Sequence, residues 1–169
     1  MRAQILEQAR TASGQQVDPE EFTAALTTAC AQLSRALIAD AEGATKEIAV
    51  QVTGATSVPA AEAVARAVTR SNLVKTAMFG QDPNWGRILA EVGTVPVDVA
   101  PFAADEVDVA INGVWICRAG VAAEDRSAVD LTGREVHVII DLHAGSHEAT
   151  VWTNDLSHAY VHENSAYST

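Results

Sequence analysis

The stretch Leu73-Val-Lys-Thr-Ala-Met-Phe-Gly-Gln-Asp-Pro-Asn-Trp-Gly-Arg87 gathers an unusual set of side chains in a short span. Lys75, Asp82, Asn84 and Arg87 crowd charge and hydrogen-bonding capacity around Trp85. Asp82-Pro83 and Asn84 are turn formers, and Gly80 and Gly86 open backbone angles that other residues avoid. The segment runs from an apolar start into a turn, then into a short helix over Arg87 to Val92 that Gly93 stops. Two readings stand: a structural turn whose polar groups satisfy one another, or the wall of a binding site.

A second candidate is Ala39-Asp-Ala-Glu-Gly-Ala-Thr-Lys46. Here Glu42 follows a long helical pattern and so faces the unfavourable pole of a helix dipole. That placement calls for a cation, either Lys46 in an ion pair across the turn or a cationic ligand. A third is the terminal Thr153-Asn-Asp-Leu-Ser-His-Ala-Tyr-Val-His-Glu-Asn-Ser-Ala-Tyr-Ser-Thr169. A chain end normally frays, but Tyr160, Val161 and Tyr167 could dock it. No metal site is expected. His143 and His147 are separated by a Gly-containing turn, and His158 and His162 lack the intervening Glu of a metalloprotease helix. No nucleophile elbow and no Gly-rich phosphate loop is present.

The elements that must position these residues follow from periodicity. Residues 1–10 could form a helix, and Thr11 to Gln16 is a polar linker. Asp18-Pro-Glu-Glu21 announces a long helix, with Asp18 as cap, Pro19 at its first position and Glu21 completing a capping box. Phe22, Leu26, Cys30, Leu33 and Leu37 form one apolar stripe ending near Asp40, and Cys30 is expected to be buried. Ile48, Val50 and Val52 alternate as a half-buried strand closed by Gly54. Ser57 to Arg70 is a second helix. Val107, Val109 and Ile111 alternate, Asn112-Gly113 is a hairpin turn, and Val114 to Cys117 returns. Val121 to Val129 reads as loop, Glu135 to Leu142 as a strand, and Ala149 to Thr153 as its return. Asp155 to Val161 is a short helix or turn. Helices come first and the last third is β-rich, so the expected class is α+β.

A chain of 169 residues with 48% apolar content can bury one domain core. Its formal charge of −11 disfavours nucleic acid, and its few cations are scattered. Two cysteines without C-x-x-C spacing exclude a disulfide framework. No apolar run approaches membrane-spanning length, and the charged residues 1–10 are not a signal peptide, so no membrane association and a cytoplasmic location are expected.

Taken together, the Glu42, Asp82 and terminal segments resemble signatures of the ornithine acetyltransferase family, the ArgJ-type enzymes of arginine biosynthesis. The resemblance covers roughly Asp18 to Thr169 and leaves residues 1–17 unmatched. It implies the C-terminal portion of the second (beta) subunit, of N-terminal-nucleophile-like (DmpA/ArgJ-like) fold. It also implies glutamate N-acetyltransferase chemistry, in which acetyl moves from N-acetylornithine to glutamate. Some relatives also use acetyl-CoA. By resemblance Glu42 contacts the amino-acid portion of the substrate, which suits a cationic amino acid such as ornithine. Asn164 and Thr169 enter the substrate pocket. No cofactor is implied. The implied partners are the first (alpha) subunit and further beta subunits. Without them, apolar surface is left open, and self-association is expected.

In this family a precursor cuts itself before a threonine, whose hydroxyl then takes the acetyl group with help from its own free amine. The oxyanion hole belongs to the first subunit. The 169 residues hold no Ala-Thr-Met-Leu-like cleavage junction, and the neighbours of Thr11 do not match one. Typical family chain lengths place Met1 about forty residues beyond the nucleophile. The expectation is a chain with no catalytic residue of its own, inactive alone. Three alternatives then stand: the C-terminal part of a longer active subunit, a truncated piece or misplaced gene start, or an inactive paralogue that keeps an amino-acid pocket or a subunit interface. A related self-processing aminopeptidase is disfavoured because it lacks the Asp-Pro-Asn-Trp-Gly-Arg segment.

Overall fold

The computed structural model describes residues 18–166. The helix and linker expected within residues 1–17, and Tyr167 and Thr169, lie outside the described residues. Contacts divide the chain into Met1–Leu37 and Ile38–Thr169.

The helix α1 (Pro19–Ala39), of which all but Ile38 and Ala39 belong to the first unit, starts where Asp18 Oδ1 accepts the backbone N–H of Glu20 at 2.8 Å. Glu20 and Glu21 lie in its first turn, where negative charge suits the helix dipole. Its run of Ala, Leu and Gln favours helix intrinsically. No residue of α1 is buried, and Leu26, Leu33 and Leu37 are exposed. Cys30 is exposed as well, which corrects the expectation of burial. The stripe is present at the expected spacing, but from Leu26 to Leu37 its apolar positions lie open, and only Phe22 is half-buried.

The second unit is built on a six-stranded mixed sheet. Its strands are β1 (Glu47–Ala55), β2 (Asp108–Ile111), β3 (Val114–Arg118), β4 (Val121–Ala122), β5 (Glu135–Asp141) and β6 (His147–Asn154), in the order β4-β3-β2-β5-β1-β6. Only β1 and β5 run parallel, paired from Glu47↔Glu135 to Thr53↔Asp141, and the other pairs are antiparallel. Alternation sets the buried face. Ile48, Val50 and Val52 on β1, and Val136, Val138 and Ile140 on β5, all turn inward. Each such side chain contributes about 1.5–3 kcal/mol by leaving water. β1 continues through Gly54 to Ala55, past the expected stop. At the β2–β3 turn both Asn112 and Gly113 take positive φ, the geometry that the Asn-Gly pair predicts.

Against β1 and β6 packs α2 (Val58–Arg70), which buries Ala61, Val64, Ala65 and Val68. Ser57 caps it by accepting the N–H of Ala60, and Pro59 lies in its first turn. Residues 72–79 form a further helix, α3 (Asn72–Phe79), capped by Ser71, in place of the apolar approach to a turn that the residues suggest. Its eight residues are too few for a clear periodic signal. α4 (Trp85–Val92) ends at Gly93 as expected. α5 (His158–Ser165) follows β6, with Ser157 as its cap. The α+β class is observed, with most of the sheet in the later part of the chain.

Candidate functional site

The second unit brings the Glu42 segment, the Lys75 segment and the terminal segment together. Glu42 and Gly43 form a turn between α1 and β1, and Glu42 is solvent-exposed. The next residues are gripped by Asp155. Its Oδ1 accepts the backbone N–H groups of Thr45 at 2.8 Å and Lys46 at 2.9 Å, and its Oδ2 accepts the Thr45 hydroxyl at 2.5 Å. The amide of Asn154 donates to the Lys46 carbonyl at 3.2 Å and to the Ile38 carbonyl at 2.7 Å. Ser157 donates its hydroxyl to the Gly43 carbonyl and accepts the Tyr160 N–H at 2.9 Å. Asp155 and Ser157 are each 1% exposed, so these bonds form away from water.

Gly43 is held at φ +69°, and a Cβ there would overlap the backbone of Ala159 and Tyr160. The turn carrying Glu42 therefore lies directly against the first turn of α5. Asn164 sits one helical turn beyond Tyr160, about 6 Å along the axis. It is exposed, and its amide donates to the Tyr160 carbonyl at 2.8 Å. Thr169 is outside the described residues.

The Lys75 segment closes another side of α5. The Leu156 N–H donates to the Lys75 carbonyl at 3.3 Å. Lys75 Nζ lies 6.0 Å from the centroid of the Tyr160 ring, and Phe79 stacks obliquely on His158 at 5.4 Å. Other polar groups of this segment are spent on structure. Asn84 caps α4 by accepting the Arg87 N–H at 3.2 Å, and its amide donates to Asp82 at 2.9 Å. Arg87 donates to the Leu73 carbonyl at 2.7 Å, clamping α4 to α3. For Asn84 and Arg87, then, the structural-turn reading describes what the side chains do. A recess of about 420 Å³ opens between Asp82, Pro83 and the Asp125–Val129 stretch, but neither Glu42 nor Asn164 lines it.

Lys46 does not serve Glu42 across the turn. Lys46 is 5% exposed, and its ammonium donates to the carbonyls of Leu131 at 2.6 Å and Gly133 at 2.7 Å. The burial of the ammonium is offset by these carbonyl dipoles. Glu42 is exposed and is not paired with that cation.

A separate charged cluster sits where β2, β3 and β5 meet. Asp108 accepts from Arg118 at 2.7 Å and from the Ala119 N–H at 2.8 Å, and it lies 3.1 Å from His143 Nε2. Burial raises the Asp108 carboxyl, but these donors outweigh it and hold the group below its usual range. The hydrogen bond that His143 donates to the Asp108 carboxylate raises the imidazole, assisted by the nearby Asp141. Burial pushes the Cys117 thiol up, so it is not poised as a nucleophile. Among the described residues, no group of three or more His, Cys, Asp or Glu side chains is arranged to hold a metal ion, and no helix is long and apolar enough to cross a membrane.

The meeting of these three segments is matched by similarity over nearly the whole chain. The ArgJ family model matches residues 4–169. The chain belongs to the ArgJ family. It is 55% identical over 164 residues to the arginine biosynthesis bifunctional protein ArgJ of Bifidobacterium longum (strain NCC 2705), covering 96% of this chain and 42% of that protein. It is 56% identical over 158 residues to ArgJ of Thermobifida fusca (strain YX), covering 94% and 40%. The crystal structure of the arginine biosynthesis bifunctional protein ArgJ from Bacillus halodurans superposes with a TM-score of 0.79 at 32% identity, covering 89% of this chain and 71% of that one. The chain thus spans about two fifths of the length of these curated ArgJ relatives.

Sequence reasoning missed Asp155 and Ser157. The signal was the Asp-Leu-Ser run directly before a short helix, an N-cap pattern with a second acidic acceptor two residues upstream. The partners of Asp155 lie about 110 residues away, so local pattern could not reveal them.

Proposed function

We propose that this chain supplies the amino-acid side of a glutamate N-acetyltransferase active site that moves acetyl from N-acetylornithine to glutamate in arginine biosynthesis. In this reading Glu42 attracts the cationic side chain of ornithine, and Asn164 and the terminal Thr169 complete the substrate pocket. The observation that carries it is the packing of the exposed Glu42 turn directly on α5, the helix that bears Asn164, by way of Gly43. An exposed carboxylate without a nearby cationic partner in its own turn suits a cationic ligand.

The nucleophilic threonine lies outside these 169 residues in this proposal, and the chain by itself is inactive. It acts in the cytoplasm, assembled with a first subunit and further second subunits. The open leucines of α1 support assembly, because exposed apolar stripes of this kind mark interaction surfaces. The test is an acetyl-exchange assay with labelled N-acetylornithine and glutamate. The chain alone should show no turnover above background, and activity should return when the nucleophile-bearing remainder is supplied. Normal turnover by the 169 residues alone would overturn the division of labour. No turnover with all parts present would favour a binding or assembly role.

A further inference from the structure

The segment from Asp40 to Lys46 is irregular, so its backbone N–H groups have no sheet or helix ladder to join. Two consecutive donors, Thr45 N–H and Lys46 N–H, are both taken by one carboxylate oxygen of Asp155. The other oxygen takes the Thr45 hydroxyl. Asp155 is 1% exposed, and a buried carboxylate is costly unless its lone pairs are used. Here they are used by donors from the loop rather than by a cation, since the Lys46 ammonium goes instead to the Leu131 and Gly133 carbonyls. Two residues on, Ser157 binds the Gly43 carbonyl and caps α5 with the same hydroxyl. The short run Asp155-Leu156-Ser157 therefore fixes both halves of the Glu42 loop and the start of the Asn164 helix.

We infer that Asp155 is a positioning residue for the amino-acid subsite: its buried carboxylate sets the place of the Glu42 loop relative to α5. This inference rests on the assignment of Glu42 to that subsite. Asp155 does not touch substrate. It acts through Glu42, so its loss should weaken binding of the cation-bearing substrate more than it slows acetyl transfer.

The experiment is steady-state kinetics of the complete acetyltransferase that includes this chain, with variants Asp155→Ala, Asp155→Asn, Glu42→Gln and the Asp155→Ala/Glu42→Gln pair. Asp155→Ala should raise KM for N-acetylornithine about tenfold and leave kcat within about threefold. Asp155→Asn should recover most of the loss. Its amide oxygen still accepts two N–H groups, and its NH2 can donate to the Thr45 hydroxyl. In the Glu42→Gln background, Asp155→Ala should add little, because both act on one interaction. Should Asp155→Ala not fold, Thr45→Val removes a single donor. A KM rise of about twofold to threefold that vanishes in the Glu42→Gln background supports the inference, and an unchanged KM overturns it. If Glu42→Gln raises KM while Asp155→Ala leaves it unchanged, or the two effects multiply, the positioning role falls and the subsite stands. If Glu42→Gln itself leaves KM unchanged, the subsite assignment falls and this inference falls with it.

Discussion

Gly43 and Tyr160 meet backbone to backbone: any Cβ at position 43 would overlap the main chain of Tyr160 at the start of α5. Gly43 also has φ +69°, where an L side chain is strained. Gly43→Ala should therefore destabilise by about 2–4 kcal/mol, the sum of left-handed strain and a clash with rigid backbone. Chemical denaturation would measure it. A loss below about 0.5 kcal/mol would mean that α5 moves freely off the loop.

Lys46 ties β1 to the Leu131–Gly133 turn through its ammonium. Lys46→Met keeps the apolar stem and removes the donors. The carbonyls of Leu131 and Gly133 then lose their partner, while the desolvation cost of a buried ammonium is relieved. A net loss of about 1–2 kcal/mol is expected on urea unfolding, with no change in charge-dependent substrate affinity. A stabilised variant would show that desolvation outweighs these bonds.

The Asp108–His143 pair makes stability pH-dependent with a defined sign. His143 has a raised folded value, so its contribution is fully present below the ordinary value of 6.5 and is lost as pH rises through the folded value. Asp108 has a lowered folded value, so its contribution is present above 3.8 and is lost as pH falls through the folded value. The window of greatest benefit lies between the two. His143→Ala should cost most near about pH 5 and almost nothing near about pH 9. The imidazole side chain is 45% exposed, so solvent screening limits the effect to about 1 kcal/mol or less. Thermal unfolding of both proteins across that range is the check, and a penalty that grows with pH would contradict it.

The open stripe of α1 should drive association. Leu33 is 66% and Leu37 76% exposed on one helix. The chain expressed alone should self-associate at micromolar concentrations, and Leu33→Gln with Leu37→Gln should reduce this without altering the folded core. Light scattering reads the result. A monomer in the parent chain would count against a role in assembly.

Sequence patterning made most of the frame legible because the signals are local. The alternation of Ile48, Val50 and Val52 marks β1, the Asn112-Gly113 pair marks the hairpin, and the expected helix from Ser57 to Arg70 matches α2. What stayed hidden depends on distant partners. The alternation did not show that β1 joins β5 in parallel and β6 in antiparallel fashion. Helical spacing did not show that Cys30 is exposed, since periodicity identifies a face but not its cover. At the candidate site, the resemblance singled out Glu42 and Asn164. The bonds that bring their segments together run through Asp155 and Ser157, whose partners are far away in sequence. Lys46, one of the two cations weighed as a partner for Glu42, is drawn instead to carbonyls 85 and 87 residues away.

The most direct test is charge-specific. In the complete enzyme, Glu42→Gln should raise KM for N-acetylornithine about tenfold to a hundredfold, the worth of one charge-assisted hydrogen bond. KM for glutamate, whose side chain is anionic, should change by no more than about threefold. An unchanged KM for N-acetylornithine, or an equal loss for both substrates, would contradict the placement of Glu42 against the cationic end of ornithine.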